Sequence, residues 1–237
     1  MEKFTLDNKN IDLYFSVHIP KTAGSFVGNL LESSKIGLLF YNYGEDSDST
    51  YIVHHGHKKF PQSGQTYEEL FFKLCSGYEG IAMMHGHFYV SRYKYLKDNA
   101  KFITWVRNPA QLLCSLFYYW KRWEPNHYNE LYNYFISKNF EFIDFATDSH
   151  FTNIQYRYLN GLDIRQFSFV GMVEKMSASL VQLSTLIPIN LGENINKRQN
   201  FNPYKKRKQY VIDDVDNSIR KANLLDYQIY DNAHLVE

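Results

Sequence analysis

Short apolar runs, each followed by a helix-length amphipathic segment, set the main constraint on this chain. Runs at 13–19, 37–42, 51–54, 80–84 and 101–106 read as strands, and segments at 25–34, 66–75, 91–97 and 109 to about 122 read as helices. Neighbouring parallel strands need long crossovers, and helices supply them. The expected fold is therefore a three-layer α/β domain with a central parallel sheet and helices on its faces. Sheets of this kind take ligands beyond the carboxyl ends of their strands. The turns at 20–25 and 107–109 both fall there.

The second half is less regular. Residues 127–160 are polar-aromatic and helical in pattern, 167–173 return as a strand, and 174–186 follow as a helix. The polar, basic stretch 192–208 reads as a loop, and a helix rich in Asp, Asn and Tyr is expected from about 211. With no repeat and no low-complexity tract, a single domain over 1–237 is expected.

Composition removes several function classes. Twenty-six basic against 25 acidic residues leave a formal charge of +1, without the basic excess of a general nucleic-acid binder. Aromatic residues make up 17% of the chain. Most such rings build a core, and some are suited to lining an acceptor pocket. Cys75 and Cys114 lack metal-ligand spacing, so they read as thiols of a reducing compartment or as one disulfide. The first residues carry no apolar signal core, and no apolar run is long enough to span a bilayer. A soluble, cytoplasmic protein without a membrane span is expected. A chain trimmed of an anchor would read the same way.

His18-Ile19-Pro20-Lys21-Thr22-Ala23-Gly24-Ser25-Phe26 places a lysine and a glycine where a helix begins. A helix N-terminus exposes backbone N–H groups and positive partial charge, and so receives phosphate or sulfate. Gly24 permits close approach, Thr22 and Ser25 add hydroxyls, and Lys21 adds a point charge. This is not a Walker A loop, because the lysine precedes the only glycine. A capped helix with a solvated lysine would carry the same residues. The strand–turn–helix pattern returns at 102–120, where Arg107 ends a strand, Pro109 suits a first helical turn and Ser115 follows eight residues after the arginine. An arginine fork and a serine hydroxyl can converge on one phosphate. Two separated anion sites on one sheet imply a ligand with two separated phosphate groups.

At these residues the chain resembles the sulfotransferases that use 3′-phosphoadenosine 5′-phosphosulfate (PAPS). It is most similar to the carbohydrate branch that includes heparan sulfate 2-O-sulfotransferase and its bacterial relatives. Residues 18–26 resemble that branch's phosphosulfate loop, and Arg107-Asn108-Pro109 with Ser115 its 3′-phosphate motif. His85-Gly86-His87-Phe88 resembles the segment that carries the catalytic base, and 153–161 and 169–174 resemble later segments, in order. The match spans roughly 13–185. It implies a P-loop-like sulfotransferase fold and PAPS as sulfuryl donor, bound by Lys21, Thr22, Ala23, Gly24, Ser25, Phe26, Arg107 and Ser115. The acceptor it implies is a hydroxyl of a glycan or small alcohol. Where the family often has a second arginine this chain has Leu112, and Arg198, with Lys197 and Lys205, is the expected substitute.

Sulfuryl transfer needs a base for the acceptor proton and positive charge on the leaving oxygen. His87 matches the family's base and Lys21 the charge, while His85 is placed to orient His87 or the acceptor. The cluster His54-His55-Gly56-His57 also follows a strand and competes for the base. The two His-x-His pairs raise a metal reading, but no carboxylate stands at suitable spacing, so no metal is expected. His18 reads as a strand histidine with a structural hydrogen bond. Two alternatives stand beside the sulfotransferase: a non-catalytic nucleotide-binding descendant and a nucleotide-dependent kinase. The kinase would need a Walker lysine and a magnesium-binding acid, and neither is found.

Overall fold

In the computed structural model, which describes residues 10–44, 47–122, 130–189 and 213–233, the first apolar run forms strand β1, Ile11–Val17. Leu13 through Val17 are buried without interruption, the pattern of a strand covered on both faces. Among the described residues the sheet gains β2 (Leu38–Asn42), β3 (Tyr51–His54), β4 (His57–Lys59), β5 (Gly80–Gly86), β6 (Lys101–Val106) and β7 (Phe169–Met172). Their order is β4-β3-β2-β5-β1-β6-β7, which places β1 between β5 and β6. Strands β2, β5, β1, β6 and β7 run parallel.

The parallel expectation needs one correction: β3 and β4 run antiparallel at one edge, so the sheet is mostly rather than wholly parallel. His55 and Gly56 between them take positive φ of 49° and 81°, the geometry of a tight hairpin turn. Strand β4 carries three exposed residues and is held by backbone pairing, which leaves no apolar pattern to read.

Alternate side chains divide between two cores. Leu13, Phe15, Val17, Phe40 and Met84 face one cluster, while Tyr14, Leu39, Tyr41 and Met83 face the other. Helices α1 (Gly24–Ser33) and α8 (Met176–Leu186) cover the second face through Val27, Leu30, Leu31, Leu180 and Leu183. The first face is covered by α2 (Tyr67–Ser76), α3 (Val90–Tyr93), α4 (Pro109–Trp120), α5 (Glu130–Lys138), α6 (Phe142–Thr147) and α7 (Ile154–Leu159). With α9 (Asp213–Ala222) and α10 (Leu224–Asn232) beside them, this completes a three-layer α/β arrangement. The aromatic excess serves this packing: Phe117, Trp120, Phe135, Phe145 and Phe151 form one cluster of edge-on and tilted rings, with Phe145 and Phe151 stacked.

Element ends differ from the sequence reading where local geometry intervenes. Strand β1 stops at Val17, so His18 lies in the loop and not in the strand. Strand β5 runs on to Gly86 and takes His85 with it. The helix expected at 91–97 is a short α-helix followed by a 3₁₀ turn, Lys94–Leu96. The late helix is two helices, broken at Asn223. Asn108 caps α4 by accepting from the Gln111 N–H at 3.1 Å, with Pro109 in the first turn. Asn108→Ala is expected to lower stability by about 1 kcal/mol. Urea unfolding measures this, and an unchanged midpoint would remove the cap from the account.

No helix among the described residues is long and apolar enough to cross a membrane.

Candidate functional site

The loop after β1 turns back on itself before α1 begins. Thr22 donates both its N–H (3.3 Å) and its hydroxyl (2.8 Å) to the Ile19 carbonyl. Lys21 and Ala23, on either side of it, hold left-handed backbone with φ of 68°. No side chain caps α1, and its first residues Gly24, Ser25 and Phe26 line a cleft of about 830 Å³ with Lys21 and Ala23. Gly24 is required by contact: a Cβ there would lie 1.8 Å from His18 Nε2. Thr22 is placed differently from its expected role as a donor to an anion. It is buried, its hydroxyl points inward, and it does not line the cleft.

Two strands across the sheet from β5, β6 delivers Arg107 to the same cleft. Its Nη1 donates to the Lys21 carbonyl at 3.2 Å, which ties the two predicted anion motifs together. Ser115, on α4, lines the cleft too, and Tyr119 follows one helical turn later. Lys21 Nζ sits 4.1 Å over the Tyr119 ring, a cation–π contact. Among the described residues the charged ones of the cleft wall, Lys21, Arg107 and Arg157, are all basic. Arg157 reaches back to the Ser149 and His150 carbonyls. Arg198, Lys197 and Lys205 lie outside the described residues. Leu112 is fully buried and turned away from the cleft.

Three histidines stack beside this cleft. His18 lies 4.3 Å from His87 and 5.4 Å from His85, ring centre to ring centre. Its Nδ1 is 3.0 Å from the Tyr43 hydroxyl. Burial first, then His85, His87 and Lys21, hold the His18 imidazole far below its ordinary range. His85 is almost wholly buried, pairs through Nδ1 with Ser16 Oγ at 2.9 Å, and does not reach the cleft. It can touch His18 but not a molecule in the cleft. Burial lowers its pKa to about 4, with His87 adding to the effect. His87 does line the cleft. Burial lowers its pKa to about 4, opposed by the His18 backbone, so its ring is neutral near neutral pH. Its Nδ1 is buried, which leaves Nε2 as the nitrogen able to meet a molecule in the cleft.

The competing cluster sits elsewhere. His54 pairs with Leu38, at the amino-terminal end of β2, whereas the cleft lies beyond the carboxyl ends of β1 and β5. The 54–57 turn is thus at the opposite end of the sheet from Lys21. Among the described residues no group of His, Cys, Asp or Glu is arranged to hold a metal ion.

Several contributors were given no role by the sequence, although Gln155 lies within the resembling segment 153–161. Tyr43 reaches His18, and Gln155, fully buried, grips the Arg107 backbone. Asp226 is buried beneath α7 and accepts from Gln155 N (3.1 Å) and Tyr156 N (2.8 Å). Burial raises its pKa to about 6, against those N–H groups. Only Tyr119 was reachable from spacing, one turn beyond Ser115.

No family model matches the chain, and no curated protein does. Among solved structures it is similar to mouse sulfotransferase SULT7A1 complexed with PAP, at 13% identity, over 97% of this chain and 91% of that one, with a TM-score of 0.44.

Proposed function

We propose that this chain is a sulfotransferase that moves the sulfuryl group of PAPS to an acceptor hydroxyl. The observation that carries the reading is the convergence of both anion motifs on one cleft, joined by the Arg107–Lys21 hydrogen bond, with neutral His87 on its wall. The 5′-phosphosulfate lies against Lys21 and residues 23–26, where helix α1 and Lys21 supply positive charge. The 3′-phosphate lies against Arg107 and Ser115.

Transfer is in line. The acceptor oxygen forms a bond to sulfur while the bond from sulfur to the bridging oxygen breaks, and its electron pair goes to the 5′-phosphate. Lys21 and the first N–H groups of α1 stabilise that developing charge. His87 Nε2 takes the acceptor proton. His85 and His18 back the His87 ring, and Tyr43 fixes His18. On the acceptor side Tyr89 and Tyr158 stand 5.1 Å apart beside His87, a ring-lined wall suited to the apolar face of a sugar or small alcohol.

The direct experiment incubates the protein with radiolabelled PAPS and a panel of hydroxyl acceptors, and identifies the labelled product. Thermal stabilisation by 3′-phosphoadenosine 5′-phosphate (PAP), without magnesium and in preference to ATP, separates this reading from a kinase. Arg107 contributes mostly uniform binding, since the 3′-phosphate is remote from the reacting sulfur. Arg107→Ala is expected to raise the donor KM roughly 10- to 100-fold, the scale of a charged hydrogen bond, with kcat little changed. Retained selectivity for the 3′-phosphate in that variant would remove Arg107 from the site.

A further inference from the structure

We propose that Gln155 is the positioning residue for the donor's 3′-phosphate: it fixes the Arg107 main chain and thereby aims the guanidinium. The inference rests on the donor placement proposed above. Strand β6 ends at Val106, so the ladder does not extend to the next peptide group. The Gln155 side chain takes its place. Gln155 Oε1 accepts from Arg107 N at 2.9 Å and Gln155 Nε2 donates to Arg107 O at 3.0 Å. One amide thus satisfies both main-chain groups of the residue, as a neighbouring strand would. Gln155 is fully buried and does not line the cleft, so it acts through Arg107 and not on a bound molecule.

Its own position is over-determined. The Asp226 carboxylate of α10 accepts from the Gln155 and Tyr156 N–H groups. Asn153 Oδ1 accepts from Leu225 N (3.1 Å) and Asp226 N (3.3 Å) in return. On the other flank Asn108 N donates to Glu174 Oε1 at 2.9 Å, and the guanidinium reaches the Lys21 carbonyl. Arg107 is therefore held at its backbone by one partner and at its head group by another. A fork held in this way loses little rotamer freedom when a phosphate arrives.

The test measures PAP and adenosine 5′-phosphate binding by calorimetry in wild type, Gln155→Met, Arg107→Ala and the double variant. Gln155→Met is expected to weaken PAP about tenfold, as for a charge-assisted contact that loses its alignment, and to leave adenosine 5′-phosphate unchanged. In the Arg107→Ala background the same change is expected to cost nothing further. Equal weakening of both nucleotides, or a second full loss in the double variant, overturns the positioning role. A wild-type protein with no preference for PAP over adenosine 5′-phosphate overturns the donor placement itself, a distinct failure. Should Gln155→Met not fold, the wild-type side-chain amide resonances of Gln155 decide. They are expected to shift with PAP and not with adenosine 5′-phosphate, and resonances that ignore PAP overturn the inference.

Discussion

Lys21→Ala is expected to lower turnover at saturating donor by at least about a hundredfold, the scale of losing one preorganised electrostatic donor. The reasoning follows charge. In the ground state the phosphosulfate already carries its charge, and the N–H groups of α1 and the Arg107–Ser115 pair can hold the nucleotide. As the bond to sulfur breaks, new charge accumulates on the bridging oxygen, and Lys21 is the cation of the loop at that end of the cleft. Its loss therefore falls more on kcat than on nucleotide affinity. Tyr119, over which the ammonium rests at 4.1 Å, shows how the side chain is kept near the cleft wall. Single-turnover measurement beside calorimetric binding of PAP checks both halves. Near wild-type turnover at saturating donor would end the assignment.

The largest loss is expected at His87. His87→Ala should reduce turnover by roughly 100- to 10,000-fold while PAP binds about as tightly as before, because the ring meets the acceptor and not the nucleotide. The pH dependence has a defined sign. The folded pKa is about 4, below the ordinary 6.5, so His87 is competent above that value and loses its basicity as pH falls through it. The acid limb of kcat/KM, which reports the unliganded enzyme, is expected near 4. With donor bound, the nearby sulfate and phosphate favour the protonated ring, so the limb of kcat should lie higher than that of kcat/KM. Both limbs should vanish in His87→Ala. His55→Ala and His57→Ala are expected to retain wild-type turnover, since their turn lies at the far end of the sheet. Loss of turnover in either of those instead would move the base there.

The parallel part of the fold was legible because each strand is buried on both faces and each turn is marked by Gly, Pro or a change of period. That residues 18–26 and 107–115 meet at one cleft was legible for the same reason: both segments are short, local and sit at strand ends. What escaped is what only three dimensions assemble. Strand β4 is exposed and carries no buried apolar residue, so it has no pattern. His87 and the 54–57 cluster both follow strands in the sequence; the antiparallel register of β3 is what sends one to the cleft and the other away from it. His18 was expected in the strand, and the early end of β1 moves it onto the cleft wall, where its structural hydrogen bond to Tyr43 still holds. Gln155 and Asp226 are polar residues in helical segments distant in sequence from Arg107; the segment 153–161 that holds Gln155 carries a family resemblance, but nothing there links it to Arg107, and nothing marks Asp226.

The left-handed backbone at Lys21 and Ala23 has an evolutionary consequence. Each non-glycine residue held there costs the folded chain roughly 1–2 kcal/mol, of which glycine would recover the part that exceeds its own larger entropy loss on folding, about 0.5–1 kcal/mol. Selection for heat resistance alone would therefore reach Ala23→Gly early, as a gain in thermal tolerance at a cleft position. The same change would let the loop wander, and the order that presents Lys21 and the first turn of α1 would have to be restored each time a nucleotide bound. Lineages adapted to higher temperature should thus resist glycine at position 23 and find their added stability elsewhere in the chain.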